Sequence, residues 1–285
     1  MKSPTTTSNS MDYIEIIGHS IIQHGKFSNR IYLMKLDKRD YPDLLPKLDN
    51  LAIKCDYGKI IAKIPATAQP VSLREGYIQE AYIPKYHQEH EGVFFMSKYL
   101  DPRRSQIASA ELSKLASLLL EPDLNNENKL PENFEIKITE NQHTQLMATI
   151  YQQVFKTYPF PITDASYLQK TMQEGLVIYF GIWDKGTLVG LSSAELDVSN
   201  RNAEMTDFAI LPAYRGQKLA SLLLKRMAGE MRIRNTNTLY TIARLNSPGM
   251  IKAFVDNGYH YSGLLKNNTN ISGQIESMCV FYKNI

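Results

Sequence analysis

The segment 206–224, TDFAILPAYRGQKLASLLL, constrains the fold of this chain more than any other stretch. An apolar strand pattern ends at Leu211-Pro212, and a short loop runs through Ala213-Tyr214-Arg215-Gly216-Gln217. A long helix pattern follows, with Leu219, Leu222, Leu223, Met227 and Met231 on one stripe. A strand that delivers a loop to a helix N-terminus builds an anion site, because the first helical N–H groups have no partner inside the helix. Gly216 lets the backbone approach an anion without a Cβ in the way. Arg215 and Lys218 add positive charge, and a guanidinium matches phosphate oxygens two at a time. Such a cradle suits a pyrophosphate better than a lone carboxylate. The alternative is a plain helix start behind a solvated basic loop.

Strand and helix patterns alternate on both sides of that segment. In the second half, strands are expected at 134–138, 176–183, 188–196, 203–210, 239–243 and 278–282, and helices around 141–155, 164–173, 216–233 and 248–257. In the first half, 31–34, 59–64 and 94–99 read as strands, while Leu44, Leu45, Leu48, Leu51 and Ala52 recur at helical spacing. A helix over 105–120 closes that half, with Ile107, Leu112, Leu115, Leu118 and Leu119 on its apolar face. The mixture argues an α/β (α+β) layer fold, a mixed sheet flanked by helices. The stretch 121–133, EPDLNNENKLPEN, reads as a linker between an N-terminal α/β domain (11–120) and a C-terminal domain (134–285). The Ser- and Thr-rich residues 1–10 read as a disordered tail. The halves echo one another: Ile61-Ala62-Lys63 precedes Gly76-Tyr77 much as Ile242-Ala243-Arg244 precedes Gly258-Tyr259. A duplicated half-domain explains the echo, and so does chance, since the matched residues are few.

Composition narrows the function classes. The 32 Lys and Arg against 29 Asp and Glu leave a net charge of +3, too mild for the clustered basic surface of a nucleic-acid binder. No apolar run approaches the ~20 residues of a membrane span, and the opening MKSPTTTSNS lacks the apolar core of a secretory signal. Two cysteines, Cys55 and Cys279, make no disulfide framework and read as small buried residues. A soluble cytoplasmic protein is expected, with no nucleic-acid or membrane partner; a homodimer stays open. His87-Gln88-Glu89-His90 has a metal-like look, but such a pair in a polar loop is usually solvated, and no metal is expected. In Tyr158-Pro159-Phe160-Pro161 the prolines break the preceding helix and stiffen a loop. Tyr158 and Phe160 then either wall the aliphatic chain of a substrate or pack a rigid turn on the core.

Pro212-x-Tyr214-Arg215-Gly216-x-x-Leu219-Ala220 resembles the acetyl-CoA loop of the GCN5-related N-acetyltransferase (GNAT) superfamily, with Lys218 where that superfamily usually has a second glycine. Asn246 and Phe254-x-x-x-Gly258-Tyr259 resemble the segment that flanks the pantetheine there. A closer resemblance spans nearly the whole chain. Ile22-Gln23-His24-Gly25-Lys26, Arg30-Ile31-Tyr32-Leu33-Met34-Lys35-Leu36 and Gly76-Tyr77-x-x-Glu80-Ala81-x-Ile83-Pro84 are similar to the beta-lysine N-acetyltransferase family. So are Tyr158-Pro159-Phe160-Pro161-Ile162, Glu204-Met205-Thr206-Asp207-Phe208, Asn267-Asn268-Thr269-Asn270-Ile271-x-Gly273 and Glu276-Ser277-Met278. The resemblance implies a C-terminal GNAT fold beside an N-terminal α/β domain, which is a degenerate GNAT-like half if the echo reflects duplication and not chance. It also implies acetylation of the ε-amino group of β-lysine from acetyl-CoA, giving the compatible solute Nε-acetyl-β-lysine, with a lysine 2,3-aminomutase supplying the acceptor. Another amine acceptor, such as a diamine, amino acid or protein lysine, and a non-catalytic acyl-CoA sensor are the alternatives.

The resemblance places Ala209, Ile210, Leu211, Arg215, Gly216, Gln217, Lys218, Leu219, Ala220, Asn246 and Phe254 around acetyl-CoA. A backbone N–H near 209–211 is expected to polarise the thioester carbonyl. An ε-ammonium with a pKa of about 10.4 must lose a proton before it attacks. Glu204, on the strand before the phosphate loop, is expected to be the general base, and Glu195 and Asp197 on the neighbouring strand to hold the ammonium. Asp207, also a candidate substrate contact, falls on the opposite face from Glu204 by strand alternation, so the two are not expected to act together. Phe254 stands where the superfamily often has a proton-donating tyrosine, so either Tyr259 (or another tyrosine) supplies the acid or the thiolate leaves unassisted.

Overall fold

The computed structural model describes residues 12–120, 122 and 129–285; the tail expected at 1–10 and most of the linker expected at 121–133 lie outside the described residues. The first half contains β1 (Tyr13–Ile17), β2 (Ser20–Gly25), β3 (Arg30–Lys35), α1 (Leu44–Lys54), β4 (Lys59–Pro65), α2 (Gln69–Arg74), β5 (Ile78–His87), β6 (Glu91–Tyr99) and α3 (Ser109–Leu120). The second contains β7 (Phe134–Ile138), α4 (Thr144–Val154), α5 (Ala165–Gln173), β8 (Val177–Asp184), β9 (Thr187–Asp197) and β10 (Asn202–Ile210). It ends with α6 (Leu219–Ile233), β11 (Thr238–Arg244), α7 (Pro248–Asp256), β12 (His260–Ile271) and β13 (Gln274–Asn284).

All these strands form one sheet in the order β1-β2-β3-β4-β6-β5-β12-β13-β11-β10-β9-β8-β7. The order reads nearly the same from both ends. β3 and β4 are parallel and joined through α1, as β10 and β11 are parallel and joined through α6. The antiparallel pairs of β6 with β4 and β5 match those of β13 with β11 and β12. The two units meet at β5 and β12, where Ala81 pairs with Gly263, and these are equivalent positions in the two copies. This repeat accounts for the echo in part. Gly76-Tyr77 and Gly258-Tyr259 both lead directly into equivalent strands, but Ile61 occupies the sheet position of Tyr240, so Ile61-Ala62-Lys63 and Ile242-Ala243-Arg244 are two residues out of register. The C-terminal unit adds β7, α4 and α5.

Gly263 is required at the junction. A Cβ there would lie 2.0 Å from the Glu80 carbonyl oxygen and 2.8 Å from Ala81 Cα, so no side chain allows the two strands to meet. From that seam the sheet curls. β4 and β11 are five strand positions apart, which is ~24 Å in a flat sheet. Yet the Lys63 Nζ on β4 lies 5.7 Å from the ring centre of Tyr240 on β11, next to β10. Gln23 Nε2 on β2 donates to the Pro159 carbonyl at 3.1 Å. The concave face therefore carries residues of both halves against one another.

Each unit also clasps the other by its turns. The β5–β6 hairpin meets the β9–β10 turn through His87 Nδ1 and Asn200 Oδ1 at 3.0 Å and through Gln88 Nε2 to the Ser199 carbonyl at 2.8 Å. These contacts occupy the stretch with the metal-like look. Reciprocally, Asn270 Nδ2 of β12 donates to the Phe27 carbonyl in the β2–β3 turn at 3.0 Å.

The convex face is covered by helices. α6, α7 and α3 pack one core through Leu219, Leu223, Met227, Met231, Ile251, Phe254 and Leu115, while α1 packs a second through Leu44, Leu45, Leu48 and Ala52. The helix α3, expected to close the N-terminal half, thus packs on the C-terminal core. It starts at Ser109 rather than at 105, because 102–105 form a tight turn capped by Asp101 Oδ1 on the Arg103 N–H. Leu112, expected on its apolar face, is exposed. α4 and α5 lie on the opposite face of β8 and β9, where they cover a third cluster around Tyr151, Leu168, Tyr179 and Leu191. No helix among the described residues is long and apolar enough to cross a membrane.

One buried ion pair ties the seam. Lys59 Nζ lies 2.8 Å from Glu80 Oε2, with both side chains almost wholly buried, and donates to the Lys266 carbonyl of β12 at 2.7 Å. Ser97 and Tyr99 hydroxyls and the Lys266 N–H also donate to Glu80, so its lone pairs are filled. Burial lowers the Lys59 pKa to about 8, against the opposing pull of Glu80. Breaking such a pair from one side leaves an uncompensated charge, worth about 3–5 kcal/mol. Glu80→Ala is expected to lose that much stability in urea unfolding; a loss below ~1 kcal/mol would mean that the pair does not hold the seam.

Candidate active site

The cradle expected at 212–220 is formed where β10 leaves the sheet. β10 and β11 pair only over 202–204 with 238–240 and then separate, opening a cavity of ≈ 750 Å³ between them. Gly216 takes φ +83° and Lys218 takes φ +57°, so the chain turns twice through the left-handed region before α6 starts. Lys218 therefore occupies a conformation that favours glycine, at a cost of ~1–2 kcal/mol. Helix α6 has no side-chain cap, and the first helical hydrogen bonds are made by Ser221 and Leu222 to the Lys218 carbonyl. The N–H groups of Leu219 and Ala220 precede these bonds and face the loop. Arg215 Nε donates to the Ile210 carbonyl at 3.1 Å, which binds the loop to the strand end. The Leu211 N–H is taken by the Val189 carbonyl at 3.0 Å, so alternation turns the Ile210 N–H the other way, into the gap.

A bulge in β10 changes the face of Asp207. Thr206 pairs with Ser193 and Ala209 with Leu191, so one extra residue sits between them, and Asp207 has φ +57°. Instead of pointing away from Glu204, Asp207 turns to the same side. Its Oδ2 accepts from Ser193 Oγ at 2.7 Å and its Oδ1 from the Tyr158 hydroxyl at 2.5 Å. The expectation that Glu204 and Asp207 lie on opposite faces is corrected by this bulge, which no alternation rule contains.

Three carboxylates consequently gather on the concave face. Glu204 and Glu195 are direct cross-strand partners, and Asp207 is within electrostatic reach of both. Burial, then repulsion from Glu204 and Asp207, raises the Glu195 pKa well above the ordinary carboxylate range, although one side of this residue stays open to solvent. Burial also raises Glu204, with Lys63 and the Tyr240 hydroxyl opposing. Asp207 is raised by burial against its bonds from Ser193, Tyr158 and Thr206.

The counter-charge comes from the N-terminal half. Lys63 lies 5.7 Å from the ring centres of both Tyr86 and Tyr240, and Tyr32 and Glu204 also act on it. The Tyr86 hydroxyl donates to the Tyr240 hydroxyl at 3.3 Å, and Tyr240 in turn hydrogen-bonds Glu204. Lys63, Tyr32, Tyr86 and Tyr240 were not anticipated. The visible sign was a lysine between the apolar residues Ala62 and Ile64 of β4, a position where a charge needs a partner.

The other expected residues divide. Ile210, Arg215, Gly216, Lys218, Leu219, Ala220, Asn246 and Phe254 line the cavity, together with Tyr158 and Asp207. Ala209 is buried in the core beside α4, Gln217 is exposed away from the cavity, and Leu211 has spent its N–H. Phe160 packs beside α4 rather than lining the cavity. Asp197 is corrected as an ammonium contact: its oxygens accept from Ser199 Oγ, the Asn200 N–H and Asn200 Nδ2, closing the β9–β10 turn. Tyr259 is corrected as an acid. It stacks edge-on to Phe254 and lines a separate depression with Arg232 and Lys283, and its buried hydroxyl has no partner. No group of His, Cys, Asp and Glu among the described residues could hold a metal.

The description of the Acetyltransferase (GNAT) family matches residues 143–259. A beta-lysine N(6)-acetyltransferase from Methanococcus maripaludis is 38% identical over 274 residues, 96% of this chain and 99% of that protein. N-acetyltransferase YodP from Bacillus subtilis is 27% identical over 93% of this chain and 96% of its own length. Among solved structures, spermidine N-acetyltransferase from Vibrio cholerae in complex with CoA and spermine matches 53% of this chain and 95% of its own, with a TM-score of 0.46 and 18% identity.

The carboxylate cluster sets a pH dependence of stability. A carboxyl whose pKa is raised on folding favours the fold below its unfolded pKa, about 4.3 for Glu, and loses that contribution as pH rises through the folded value. Glu204→Gln removes one such group. Its melting temperature should exceed that of the parent at pH 8 by more than at pH 4.5. A difference independent of pH would mean that Glu204 titrates like an exposed glutamate.

Proposed function

Because the chain belongs to the beta-lysine N-acetyltransferase family of GNAT acetyltransferases, we propose that it transfers the acetyl group of acetyl-CoA to the ε-amino group of β-lysine. The observation that carries this reading is the trio Glu195, Glu204 and Asp207 on the concave face, of which Asp207 also lines the cavity that reaches the α6 N-terminus. β-Lysine brings two ammonium groups, and a cluster of carboxylates in a poorly solvated place is complementary to them.

The pyrophosphate of acetyl-CoA would rest on the N–H groups of 216–220 with Arg215 beside them, and the pantetheine would fill the gap between β10 and β11. The Ile210 N–H points into that gap and is the donor for the thioester carbonyl. Glu204 accepts a proton from the ε-ammonium, and its raised pKa brings it nearer the amine's own than an ordinary glutamate would be. The freed amine nitrogen attacks the carbonyl carbon, the C–S bond breaks, and the thiolate departs with the electron pair; the nitrogen sheds its second proton in becoming an amide, and the thiolate takes it up directly or through solvent. A thiol pKa of about 8.5 makes it a good leaving group, so a chain with Phe254 at the usual acid position loses little. Glu195 and Asp207 remain for the second ammonium. The Tyr240–Tyr86 chain gives Glu204 a route for passing its proton on. The acceptor would come from a lysine 2,3-aminomutase in the cytoplasm.

Release of free thiol from acetyl-CoA should depend on β-lysine and be much slower with α-lysine, ornithine or spermidine. Glu204→Gln should lower kcat by about 10²–10⁴-fold while leaving the KM for acetyl-CoA nearly unchanged. It should also remove an acid limb of kcat/KM whose apparent pKa lies above the ordinary glutamate value. Arg215→Ala should act the other way, raising the KM for acetyl-CoA with kcat largely kept. Binding of acetyl-CoA with no turnover of any amine would replace the enzyme by an acyl-CoA sensor.

A further inference from the structure

Arg30 is the buried cation on the concave face whose guanidinium is left without its hydrogen bonds. The residue is 4% exposed, and among the described residues neither Nε nor Nη1 has a partner. Nη2 makes one long contact with Gln23 Oε1, at 3.4 Å. A guanidinium offers five donors, and burying one with most of them unspent is costly unless something else accepts them. The other deep cations of this face are provided for: Lys59 has Glu80, and Lys63 has Tyr86 and Glu204. Asp12 attracts Arg30 electrostatically, but both of its oxygens lie on the Ser28 N–H, at 3.1 and 3.2 Å, and the two side chains form no ion pair. Burial lowers the Arg30 pKa to about 10, which still leaves it charged at neutral pH.

Its surroundings connect it to the acceptor side of the site. Arg30 sits two residues before Tyr32 on β3, so both lie on the concave face, and its guanidinium is 5.2 Å from the Tyr32 ring centre. Tyr32 is within electrostatic reach of Lys63 and Glu204. On the other side, Gln23 links Arg30 to the Pro159 carbonyl, next to Tyr158, which bonds Asp207. A planar fork with free Nε and Nη1, held between an aromatic ring and a carboxamide, is suited to a carboxylate in a bidentate pair.

We propose that Arg30 binds the carboxylate of an amino-acid acceptor, and so makes the enzyme select amino acids over polyamines. This rests on the acetyltransferase reading above and names the residue that decides the substrate class. Glu195, Glu204 and Asp207 recognise the ammonium groups, which a diamine shares. Arg30 recognises the group that a diamine lacks.

The test pairs each amino acid with its decarboxylated amine: β-lysine with 1,4-diaminopentane, α-lysine with cadaverine, ornithine with putrescine. Thiol release is measured for the parent, Arg30→Gln and Arg30→Lys. The parent should prefer the amino acid of the pair it uses. Arg30→Gln should raise the KM for that amino acid about 10–100-fold, leave the KM for its amine equal or lower, and leave the KM for acetyl-CoA unchanged. Arg30→Lys, which keeps the charge but not the fork, should fall between. Because the substitution removes a buried unpaired charge, the unliganded Arg30→Gln protein should melt no lower than the parent. If α-lysine or ornithine proves to be the acceptor and its preference over the matching amine collapses in Arg30→Gln, the β-lysine assignment fails while this inference holds. Equal losses for both members of a pair, no loss for either, or a parent that acetylates only amines without a carboxylate or none at all overturn it.

Discussion

Everything in this molecule depends on the close approach of β5 and β12. Two units that each carry parallel strands and covering helices are merged into one sheet by a junction so tight that Gly263 has no room for a methyl group. Because the paired residues Ala81 and Gly263 are equivalent in the two copies, an approximate two-fold relation passes through the seam, and the same curl is imposed on both sides. Lys59 and Glu80 add an electrostatic lock at this place, with the Lys266 carbonyl drawing the C-terminal unit into it. A buried ion pair adds little over an apolar pair of equal volume. Its contribution is specificity: a shifted register would strand two charges, so only one alignment of the halves is tolerable.

The curl decides the electrostatics of the site. Three acids on one open C-terminal sheet would be ordinary surface groups, well solvated and ionised. Folding β3 and β4 over this face withdraws water from Glu204 and Asp207 and raises their pKa values, while Glu195 keeps contact with solvent, and it simultaneously supplies Lys63, Tyr32, Tyr86 and Tyr240. The cost of crowding like charges in a low dielectric is large, so the empty cluster favours protons or cations. A dicationic acceptor relieves what the fold has concentrated. The same interior holds Arg30 at the far side from these acids in chemical sense, so the face presents both signs of charge to a ligand that also carries both.

Much of this was legible in the sequence where the signal is local. The strand–loop–helix of 206–224 announces itself because Gly216, Arg215 and the leucine stripe of α6 are adjacent in the chain. Long amphipathic helices such as α1 and α6 also follow from spacing alone. β12 was not legible, since register shifts at Tyr261–Gly263 and Leu265–Thr269 destroy its alternation and its end is the polar run Lys266-Asn267-Asn268-Thr269-Asn270. Asp207 was assigned to the wrong face for the same reason, a single inserted residue. Tyr259 looked catalytic by its place after Phe254, but its ring turns into the core, and only packing decides that. Lys63 could not be placed, because Tyr240 and Glu204 reach it across the curl from more than a hundred residues away in the chain, and Arg30 could not, because nothing local shows that its guanidinium is buried.

The repeated unit also explains why one half binds the cofactor and the other closes on the acceptor. In the N-terminal copy the counterpart of the phosphate loop is the connection from β3 to α1, Leu36-Asp37-Lys38-Arg39-Asp40-Tyr41-Pro42-Asp43. It has no glycine to turn through the left-handed region, and it places acids where an anion would have to sit. Asp37 accepts from the Arg39 backbone and side chain, and Asp40 accepts from the His19 N–H and the Ser20 hydroxyl. Asp43 stands directly before α1, against the positive end of the helix dipole. The copy thus satisfies its own turn donors with carboxylates, and its three acids outweigh Lys38 and Arg39 where a pyrophosphate would need positive charge. What it retains is the sheet. Freed from cofactor binding, strands β2 to β4 can present Gln23, Arg30, Tyr32 and Lys63 inward, and a scaffold that in the C-terminal unit holds a donor becomes in the N-terminal unit the wall that reads the acceptor.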